Sequence, residues 1–259
     1  MTDPSKTRSG VLIHGAGWVA GQHAAAFKNN PGAEVVAVSS RNKSSADRLV
    51  DEAGLTGAAT FDDLDAALAH DGVDIVCICT PQHVHCENVL AAAAAGKHLV
   101  IEKPAAISLD ELRRMQEAVD QAGVKTVVSF VLRWNPLIQQ IKKRIAGGNL
   151  GRVFSVETDY HSYNSDWWGG WEDGRRADTG VSAMAVAGCH AIDALRWLAA
   201  PGEFEAADPV EVFAWAGGHR KGATRQYNPL EETWHEGTPL EYEGLEMLMV
   251  RFSNGVLGK

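Results

Sequence analysis

A short motif of an acidic residue, a lysine and a proline, Glu102-Lys103-Pro104, stands directly after an apolar run that ends at Ile101. A lysine at the end of a strand is usually only solvated. This lysine lies between a carboxylate and a proline, whose backbone geometry is fixed. A nearby cation would lower its pKa toward the range that suits proton transfer. We therefore interpret Lys103 as a candidate catalytic residue.

A glycine-rich turn, Gly15-Ala16-Gly17-Trp18-Val19-Ala20, follows the apolar run at residues 11–13 and fits the pattern G-x-G-x-x-G/A. In this pattern the first glycine makes a tight turn and the second lets a pyrophosphate approach the backbone. The third small residue lets the following helix pack closely on its strand. The helix N-terminus then presents free N–H groups to the phosphates. The motif predicts a dinucleotide site that includes Gly15, Gly17, Trp18 and Val19.

The end of the second predicted strand, residues 34–38, bears on which dinucleotide is bound. An aspartate or glutamate there usually binds the ribose hydroxyls of NAD, but this chain continues with Ser39-Ser40-Arg41. Without a carboxylate to repel it, a 2′-phosphate could be held by the hydroxyls of Ser39 and Ser40 and by the guanidinium of Arg41. We therefore predict that NADP is preferred over NAD. Arg41 could instead stack on the adenine or point into solvent.

A polar turn, Thr80-Pro81-Gln82-His83-Val84-His85, follows a strongly apolar run at residues 73–79. We predict that Thr80, Pro81, His83 and His85 line the cofactor. A metal site formed with the nearby cysteines is the alternative. However, Cys77 and Cys79 fall on one face of a buried strand, where cysteine behaves as a small apolar residue. Neither a C-x-x-C pair nor a distant ligand cluster accompanies them, so we predict no metal.

Short apolar runs alternate with helical patterns through the first half of the chain, which predicts an α/β fold with a doubly wound parallel sheet of the Rossmann type. Predicted strands cover residues 11–13, 34–38, 73–79, 98–101 and 125–130, and predicted helices cover residues 23–27, 46–53, 62–70, 85–95 and 108–122. Ligands of such sheets bind outside the carboxyl ends of the strands. The four motifs therefore converge on one edge of the sheet, and Glu102 and Lys103 belong to the same cofactor site.

The pattern changes at about residue 130, and we predict a Rossmann domain over residues 1–129 followed by an α+β domain over residues 130–259. In the second domain, predicted helices cover residues 137–146 and 182–199, and predicted strands cover residues 152–163, 210–216 and 246–252. The tripeptide Ser253-Asn254-Gly255 is typical of a hairpin turn, but only four residues follow it. We interpret this ending as a C-terminal truncation, with a short edge strand as the alternative.

The composition excludes several classes of function. The net charge of −9 argues against nucleic acid as a partner, and the one basic run, Lys142-Lys143-Arg144, is typical of a solvated helix face. No apolar run approaches the roughly 18 residues of a membrane span, and residues 1–10 lack the apolar core of a signal peptide. The four cysteines are too few and too clustered for a disulfide framework, so we expect a reducing cytoplasm.

Taken together, the motifs resemble those of the glucose–fructose oxidoreductase / inositol dehydrogenase / MocA family. The T-P-x-H-x-H and E-K-P elements in this order are specific to that family, and the resemblance covers nearly the whole chain. The matching segments are Gly15-Ala16-Gly17 with His23, Thr80 to His85, Ala94-Ala95-Gly96-Lys97-His98, Glu102-Lys103-Pro104, Arg133 with Pro136, Gly148-Asn149-Leu150-Gly151 and Gly188-Cys189-His190-Ala191-Ile192-Asp193.

This resemblance implies a Rossmann domain followed by an α+β domain whose open, predominantly antiparallel sheet often forms the oligomer interface, so we expect a homodimer or homotetramer. It also implies an oxidoreductase that transfers a hydride between NADP(H) or NAD(H) and a sugar, sugar derivative or polyol. Lys103 would hydrogen-bond the reacting oxygen, and His190 would act as general acid/base. The alternatives are a cofactor-recycling lyase, glycosidase or epimerase with no net redox change, and a dinucleotide-sensing protein without catalysis.

The residues around His190 qualify this expectation. Val186, His190 and Asp193 are spaced four and three apart, so they share one face of a predicted helix. A histidine there could also be a satisfied core residue. Many members of the family have an aspartate where this chain has Val186. Proton transfer must therefore rely on Lys103 and His190, or use another acid such as Asp178 or Asp193.

A tryptophan-rich segment, residues 163–176, lies between the long predicted strand and helix of the second domain. Aromatic faces beside hydrogen-bonding groups suit a sugar ring, whose C–H face is apolar. We predict that Trp167 and Trp168 bind the substrate together with Lys103, Arg133 and His190. Alternatively, these tryptophans anchor a loop or a subunit interface.

Overall fold

The computed structural model describes residues 8–162, 170–218, 220–228 and 231–259. The chain folds into two compact units, Met1–Ser129 and Phe130–Lys259. Within the described ranges, every helix is too short or too polar to cross a bilayer.

The first unit is built on a sheet of six parallel strands in the spatial order β3-β2-β1-β4-β5-β6. The strands are β1 (Ser9–His14), β2 (Ala33–Ser39), β3 (Ala59–Phe61), β4 (Val73–Ile78), β5 (His98–Ile101) and β6 (Thr126–Val128). This is the predicted doubly wound sheet. Strand β3 was not predicted, because three residues are too few to show a strand pattern.

Five helices cover the two faces of this sheet. They are α1 (Trp18–Lys28), α2 (Lys43–Ala53), α3 (Leu64–Leu68), α4 (His85–Ala94) and α5 (Leu109–Ala122). Val11 and Ile13 of β1 belong to one buried cluster, whereas Leu12 belongs to the other. Because successive side chains of a strand point to opposite faces, both faces are packed, which explains the continuous apolar runs in the sequence.

The order of the strands reverses between β1 and β4, and the turns that leave these two strands meet at this point. Gly15 has φ +104°, and a Cβ added to it would lie 2.6 Å from the carbonyl oxygen of Cys79. Only glycine fits this position, because both the backbone angle and the close approach exclude a side chain. The sequence therefore places a tight turn at the site where ligands of open parallel sheets bind.

The second unit has a four-stranded sheet in the order β7-β12-β11-β8 and a separate antiparallel pair, β9 and β10. Strand β11 is antiparallel to both β12 and β8, and β12 is parallel to β7. The strands are β7 (Ser155–Val156), β8 (Pro209–Gly217), β9 (Arg225–Asn228), β10 (Thr233–Glu236), β11 (Leu245–Phe252) and β12 (Leu257–Gly258). The helices are α6 (Pro136–Ala146), α7 (Trp171–Arg175) and α8 (Cys189–Ala199), with a π-helical turn at Met184–Gly188.

Two predictions for this unit were wrong in detail, as was one alternative. The strand predicted over residues 152–163 is only Ser155–Val156, because its sole partner in the ladder, β12, has two residues. The helix predicted from residue 182 opens with a π-helical turn, and the tryptophan-rich segment contains α7. The hairpin turn formed as predicted, with Gly255 at φ +84°. The returning strand, however, lies between β11 and β7 and is not an edge strand.

The basic run in α6 is also not a solvated face throughout. Lys142 is buried, with 1% of its surface exposed. Its Nζ donates hydrogen bonds to the carbonyl oxygens of Trp197 and, at 2.8 Å, of Ala200. These carbonyls lie at the C-terminal end of α8, where no further turn of helix would satisfy them. Lys142 therefore serves as a buried cap for α8.

Candidate dinucleotide and catalytic site

The N-terminus of α1 leaves an open cradle at Gly17. This residue is the N-cap in extended conformation, and no atom of the described chain lies within 4 Å of a Cβ built on it. The first turn of α1 carries no acidic side chain, so its N–H groups face no negative charge from that turn. Trp18 is exposed, Val19 is half-buried, and Ala20 is fully buried against the sheet. This arrangement fits a pyrophosphate.

The end of β2 corrects one cofactor prediction. The hydroxyl of Ser39 is fully buried and lies 2.8 Å from Nδ1 of His14, so it is not available to a 2′-phosphate. Burial lowers the pKa of His14 to about 4, so this contact joins two neutral groups. Ser40 is half-buried and Arg41 is exposed, and Arg41 makes no ion pair with any residue that the structure describes. Of the predicted trio, two side chains remain accessible.

The turn after β4 is held by His85, whose ring is 1% exposed. Its Nε2 lies 2.9 Å from the carbonyl oxygen of Thr80, and its Nδ1 lies 2.9 Å from the carbonyl oxygen of Pro104. His85 thus connects two of the predicted motifs, and its ring nitrogens are used inside the protein rather than on a cofactor. The prediction that His85 binds the cofactor directly is therefore replaced by a positioning role.

The other predicted residues of this turn remain at the edge of the sheet. Thr80 accepts a hydrogen bond of 2.9 Å from Nδ2 of Asn88. Pro81 and His83 are half-buried. Nδ1 of His83 is buried and has no hydrogen-bond partner among the described residues. Buried polar atoms of native proteins are almost always bonded, so this nitrogen is available to a ligand at the edge of the sheet.

The turn after β5 is fixed by a buried carboxylate. Oε1 of Glu102 lies 2.8 Å from Nε2 of His23, and Oε2 accepts the backbone N–H of Lys103 at 3.1 Å. Burial alone would raise the pKa of Glu102, but the hydrogen bond and charge of His23 hold that pKa below its usual range. The peptide bond from Lys103 to Pro104 is cis, and the Lys103 side chain is half-buried. The carboxylate therefore orients the backbone that carries Lys103.

His23 is the residue whose importance the sequence did not reveal beyond the family resemblance. Burial would lower its pKa, but hydrogen bonds to Cys77 and Glu102 outweigh that effect and raise the pKa to about 10. The ring lies one turn into α1, and helical spacing alone gave no indication that it reaches Glu102. Contacts of this kind depend on how α1 packs on the sheet.

His190 lies in the second unit, near the start of α8, and is 5% exposed. Its ring stacks on Tyr160 with ring centroids 5.2 Å apart, and the edge of Phe130 approaches at 6.2 Å. Val186 is buried in the π-helical turn. The π-helical turn departs from the regular α-helical spacing on which the prediction of a shared face for Val186 and His190 was based.

The two acids that could have replaced the missing aspartate, Asp193 and Asp178, already accept hydrogen bonds from arginines. The carboxylate of Asp193 accepts two hydrogen bonds of 2.7 Å from Arg133, and Asp178 accepts one of 2.8 Å from Arg176. The guanidinium of Arg133 also lies over the ring of Trp197, 5.5 Å from its centroid. Arg133 is therefore part of an internal ion pair, and we do not retain it as a substrate-binding residue.

Trp167 and Trp168 lie outside the described residues. Trp171, at the start of α7, is buried, and the guanidinium of Arg175 lies 4.6 Å from its ring centroid. These two residues, with Tyr160 and Tyr242, line a cavity of about 170 Å³ within the second unit. The sequence did not indicate this cavity, because β9, which helps to line it, gave no recognisable strand pattern.

Comparison with known protein families shows to which family the chain belongs. Residues 9–130 match the family described as an oxidoreductase family with an NAD-binding Rossmann fold. Residues 138–259 match the GFO/IDH/MocA C-terminal domain. The chain belongs to the GFO/IDH/MocA family. The predicted family and the predicted fold class are confirmed.

Several members of the GFO/IDH/MocA family are similar to this chain. Levoglucosan dehydrogenase of Pseudarthrobacter phenanthrenivorans is 30% identical over 194 residues, which are 72% of this chain and 48% of the relative. D-xylose 1-dehydrogenase (NADP(+)) 2 of Haloferax volcanii is 34% identical over 166 residues, which are 63% of this chain and 49% of the relative. The chain spans about half the length of these curated relatives.

A solved structure of a levoglucosan dehydrogenase in complex with NADH superposes on this GFO/IDH/MocA chain with a TM-score of 0.79 and 25% sequence identity. The superposition covers 97% of this chain and 65% of the other chain. The agreement extends over both units, so the fold of the second unit follows that of the family as well.

Proposed function

We propose that this chain is an NAD(P)-dependent oxidoreductase that transfers a hydride between the cofactor and a carbon of a sugar, sugar derivative or polyol. The observation that carries this proposal is the position of Lys103. It follows β5 at the carboxyl edge of a Rossmann sheet, and Glu102 and His85 hold the backbone on either side of it. The curated relatives named as levoglucosan and D-xylose dehydrogenases support a sugar or polyol as substrate.

The residues present fit a dinucleotide. In our proposal, the N–H groups at the start of α1 bind the pyrophosphate, Gly17 leaves the space it needs, and Thr80 and His83 line the cofactor farther along the edge. When bound, the nicotinamide ring supplies or accepts the hydride. Every other step falls to side chains of this chain, which bind the substrate, orient it and move the coupled proton.

Lys103 and His190 are the two proposed catalytic residues. The Lys103 ammonium donates a hydrogen bond to the reacting oxygen of the substrate and exchanges a proton with it. His190 is the second group that donates or accepts this proton. Val186 offers no carboxylate beside it, and Arg133 occupies Asp193. The proposed proton transfer therefore rests on these two side chains.

The cavity of the second unit is the proposed place for part of the substrate. Its aromatic walls, Tyr160 and Trp171, suit the apolar face of a sugar ring, and Tyr242 contributes a hydroxyl. Trp171 Nε1 is buried without a hydrogen-bond partner among the described residues, so it is a donor for a substrate hydroxyl.

The preferred cofactor in our proposal is NADP. Arg41 supports it, because its guanidinium is exposed at the end of β2 and forms no ion pair within the described chain. Ser40 is the accessible hydroxyl beside it. A curated relative whose name specifies NADP and a solved relative that contains NADH show that related chains use both cofactors.

We further propose that the exposed face of β8 and β11 is covered by a second copy of the chain. Four large apolar residues on these two strands are about half exposed, namely Phe213, Trp215, Met247 and Met249. Met247 pairs with Trp215 and Met249 with Phe213, so they form one contiguous patch. Patches of this kind mark interaction surfaces, and the family resemblance points to an oligomer interface here.

The experiment that tests catalysis compares Lys103→Met with Lys125→Met, whose lysine is also accessible but lies before β6, at the amino edge of the sheet. Affinities for NADPH and NADH are measured by nicotinamide fluorescence. Turnover of levoglucosan, D-xylose and myo-inositol is followed by nicotinamide absorbance. We expect both variants to bind cofactor within about twofold of the native chain. Lys103→Met should lose about 10²- to 10⁴-fold in kcat.

Undiminished turnover by Lys103→Met would overturn the assignment of this residue. Because this chain has Val186 where many members of the family have an aspartate, His190 lacks that neighbouring carboxylate. This difference favours a second candidate function, a protein that binds a dinucleotide without turnover. Cofactor binding with no absorbance change for any of the three substrates, and none for a wider set of sugars and polyols, would favour that candidate.

A further inference from the structure

Three side chains that are distant in sequence meet behind the turn that carries Lys103. They are His23 of α1, Cys77 of β4 and Cys79 just beyond β4, and their potential ligand atoms all lie within 4.8 Å of one another. We infer that these residues form a binding site for a soft divalent metal ion, with zinc the best fit. The site is additional to the dinucleotide site and does not depend on the proposed hydride chemistry.

The distance between the two sulfur atoms is compatible with a pair of metal ligands. Sγ of Cys77 and Sγ of Cys79 are 3.6 Å apart. In a tetrahedral zinc site with Zn–S bonds of about 2.3 Å, two thiolates lie about 3.8 Å apart. The thiols are therefore already spaced as a pair of zinc ligands, and a ring nitrogen of His23 lies within 4.8 Å of both sulfurs.

A disulfide is the competing reading of the same two cysteines. Alternate residues on one face of a strand have Cα atoms about 6.6 Å apart. That separation is at the upper end of the range for a disulfide, and the two sulfurs would have to approach to about 2.05 Å. The spacing at Cys77 and Cys79 thus suits a bridging ion better than a direct bond.

Glu102 supplies a second, independent feature of a metal site. A histidine that binds a metal through one ring nitrogen almost always donates the N–H of the other to a carboxylate or carbonyl. Nε2 of His23 already lies 2.8 Å from Oε1 of Glu102, and this carboxylate is 8% exposed. The pair fixes the ring, so that Nδ1 is the nitrogen that would bind the ion, with loss of its proton on binding.

The surroundings of Cys77 differ from those of a cysteine that only fills space. The Cys77 side chain is fully buried, yet it lies beside two polar side chains, Cys79 and His23, whose ligand atoms are all within 4.8 Å of one another. Metals bind the thiolate rather than the thiol. His23 is the distant ligand whose absence from the sequence pattern argued against a metal, because only the packing of α1 on β4 brings it near.

The site has one open coordination position and a route of entry. Three protein ligands leave a fourth position for water or another small ligand. The His23 side chain is 16% exposed, and Cys79 lies at the carboxyl end of β4, at the edge of the sheet. A bound ion would share Glu102 with the backbone of Lys103 and would therefore stabilise this turn.

The test uses the whole chain, treated with a chelator and returned to metal-free buffer with a reductant. Cobalt(II) replaces zinc as a probe, because its absorption reports thiolate ligands and tetrahedral geometry. We expect one equivalent of cobalt to bind, with a thiolate charge-transfer band that zinc displaces. Cys77→Ser and Cys79→Ser should each abolish the band and weaken zinc binding at least 100-fold. Glu102→Ala should weaken it by about 10- to 100-fold.

Cys86→Ser is the matched control, since Cys86 is equally buried but belongs to the other core cluster, and its thiol contacts the carbonyl oxygen of Glu111. This variant should bind cobalt as the native chain does. Protection of Cys77 and Cys79 from alkylation by zinc, mapped by mass spectrometry in the native chain, gives the same information if a variant fails to fold.

Three results would each overturn the inference. They are the absence of a cobalt–thiolate band in the folded native chain, a band that survives when both Cys77 and Cys79 are replaced, and no zinc protection of these two thiols. None of these measurements involves turnover or a dinucleotide, so the metal site and the proposed oxidoreductase activity can fail separately.

Discussion

Arg41 of the first unit and three arginines of the second unit differ in the partners that they bind. In the first unit, Arg41 is exposed at the edge of the sheet and has no ionic partner among the described residues. In the second unit, Arg133 is bound to Asp193, Arg176 to Asp178, and Arg175 to the carbonyl oxygens of Thr238 and Ala223. Arg41 is thus accessible to a ligand, whereas these three arginines of the second unit hold their own loops.

Their sheets differ in a complementary way. The parallel sheet of the first unit is packed on both faces by helices, so its apolar residues are internal. The sheet of the second unit leaves Phe213, Trp215, Met247 and Met249 about half exposed. The helices of the first unit cover both faces of its sheet, whereas the second unit leaves an apolar surface that we have proposed as an interface with a second copy.

The largest effect that we expect tests whether the site of the first unit is built into its backbone. Gly15→Ala places a Cβ 2.6 Å from the carbonyl oxygen of Cys79 at φ +104°. Strain and overpacking together should reduce the free energy of unfolding by about 2–5 kcal/mol. Urea unfolding followed by circular dichroism measures this loss.

Gly17→Ala is the matched variant for Gly15→Ala. Its Cβ meets no described atom within 4 Å, so the free energy of unfolding should change by less than about 1 kcal/mol. The methyl group would nevertheless fill the cradle at α1, and we expect NADPH affinity to fall at least about tenfold, since bound phosphates approach this backbone closely. If both variants were equally stable, the close packing at Gly15 would be refuted.

The second prediction tests the open sheet. Trp215→Glu puts a charge in the exposed patch, and we expect the oligomer to dissociate, which light scattering after size-exclusion chromatography would show as a lower molar mass. Trp234→Glu is the control, because this residue is 57% exposed, close to the 59% of Trp215, but lies on the separate β9–β10 pair. A native chain that is already monomeric would contradict the proposed interface.

The contrast between the units also explains how much the sequence could reveal. The strand at residues 98–101 was predicted with its observed bounds, and the helix from Ser108 to Ala122 was predicted to within one residue. In these elements the local signals agree, since the Ser108 side chain caps the N–H of Glu111 and Gly123 ends the helix at φ +63°. Where such signals exist, the chain determines its local structure.

What could not be predicted depends on contacts across the fold. Serine is a residue type that can bind phosphate, but the hydroxyl of Ser39 contacts His14 on the neighbouring strand instead. His23 of α1 reaches Glu102, which follows β5, only through the packing of the helix on the sheet. Similarly, β7 is limited by the length of β12, which is nearly at the other end of the second unit. No pattern within a short window contains this information.

A third prediction tests Arg41, the exposed arginine at the end of β2. Arg41→Ala should weaken NADPH binding by about 10- to 100-fold, the loss expected for charge-assisted hydrogen bonds to a phosphate. NADH binding should change by less than about twofold. Lys43→Ala is the control, since Lys43 already binds Thr60 and Asp47. Equal losses for both cofactors in Arg41→Ala would mean that this side chain contacts the adenine instead.

The smallest effect concerns the buried cation of the second unit, Lys142. Burial lowers its pKa from 10.5 to about 8. Between these values the unfolded chain holds the proton and the folded chain does not, so the free energy of unfolding should rise with pH in this window. Below pH 8 both states are charged, and the cost of burying the ammonium is present in full.

The size of this effect is measured against Lys142→Met, which keeps the length of the side chain but cannot titrate. From pH 8 to 10.5, the native chain should gain on the order of 1–2 kcal/mol relative to this variant. The hydrogen bonds to Trp197 and Ala200 survive, because a neutral amine still donates. A difference that stays constant over this range would show that Lys142 remains charged and that the end of α8 holds it as a cation. The second unit would then stabilise a buried charge with carbonyl groups and the ring of Trp197, whereas in the first unit the carboxylate of Glu102 pairs with His23.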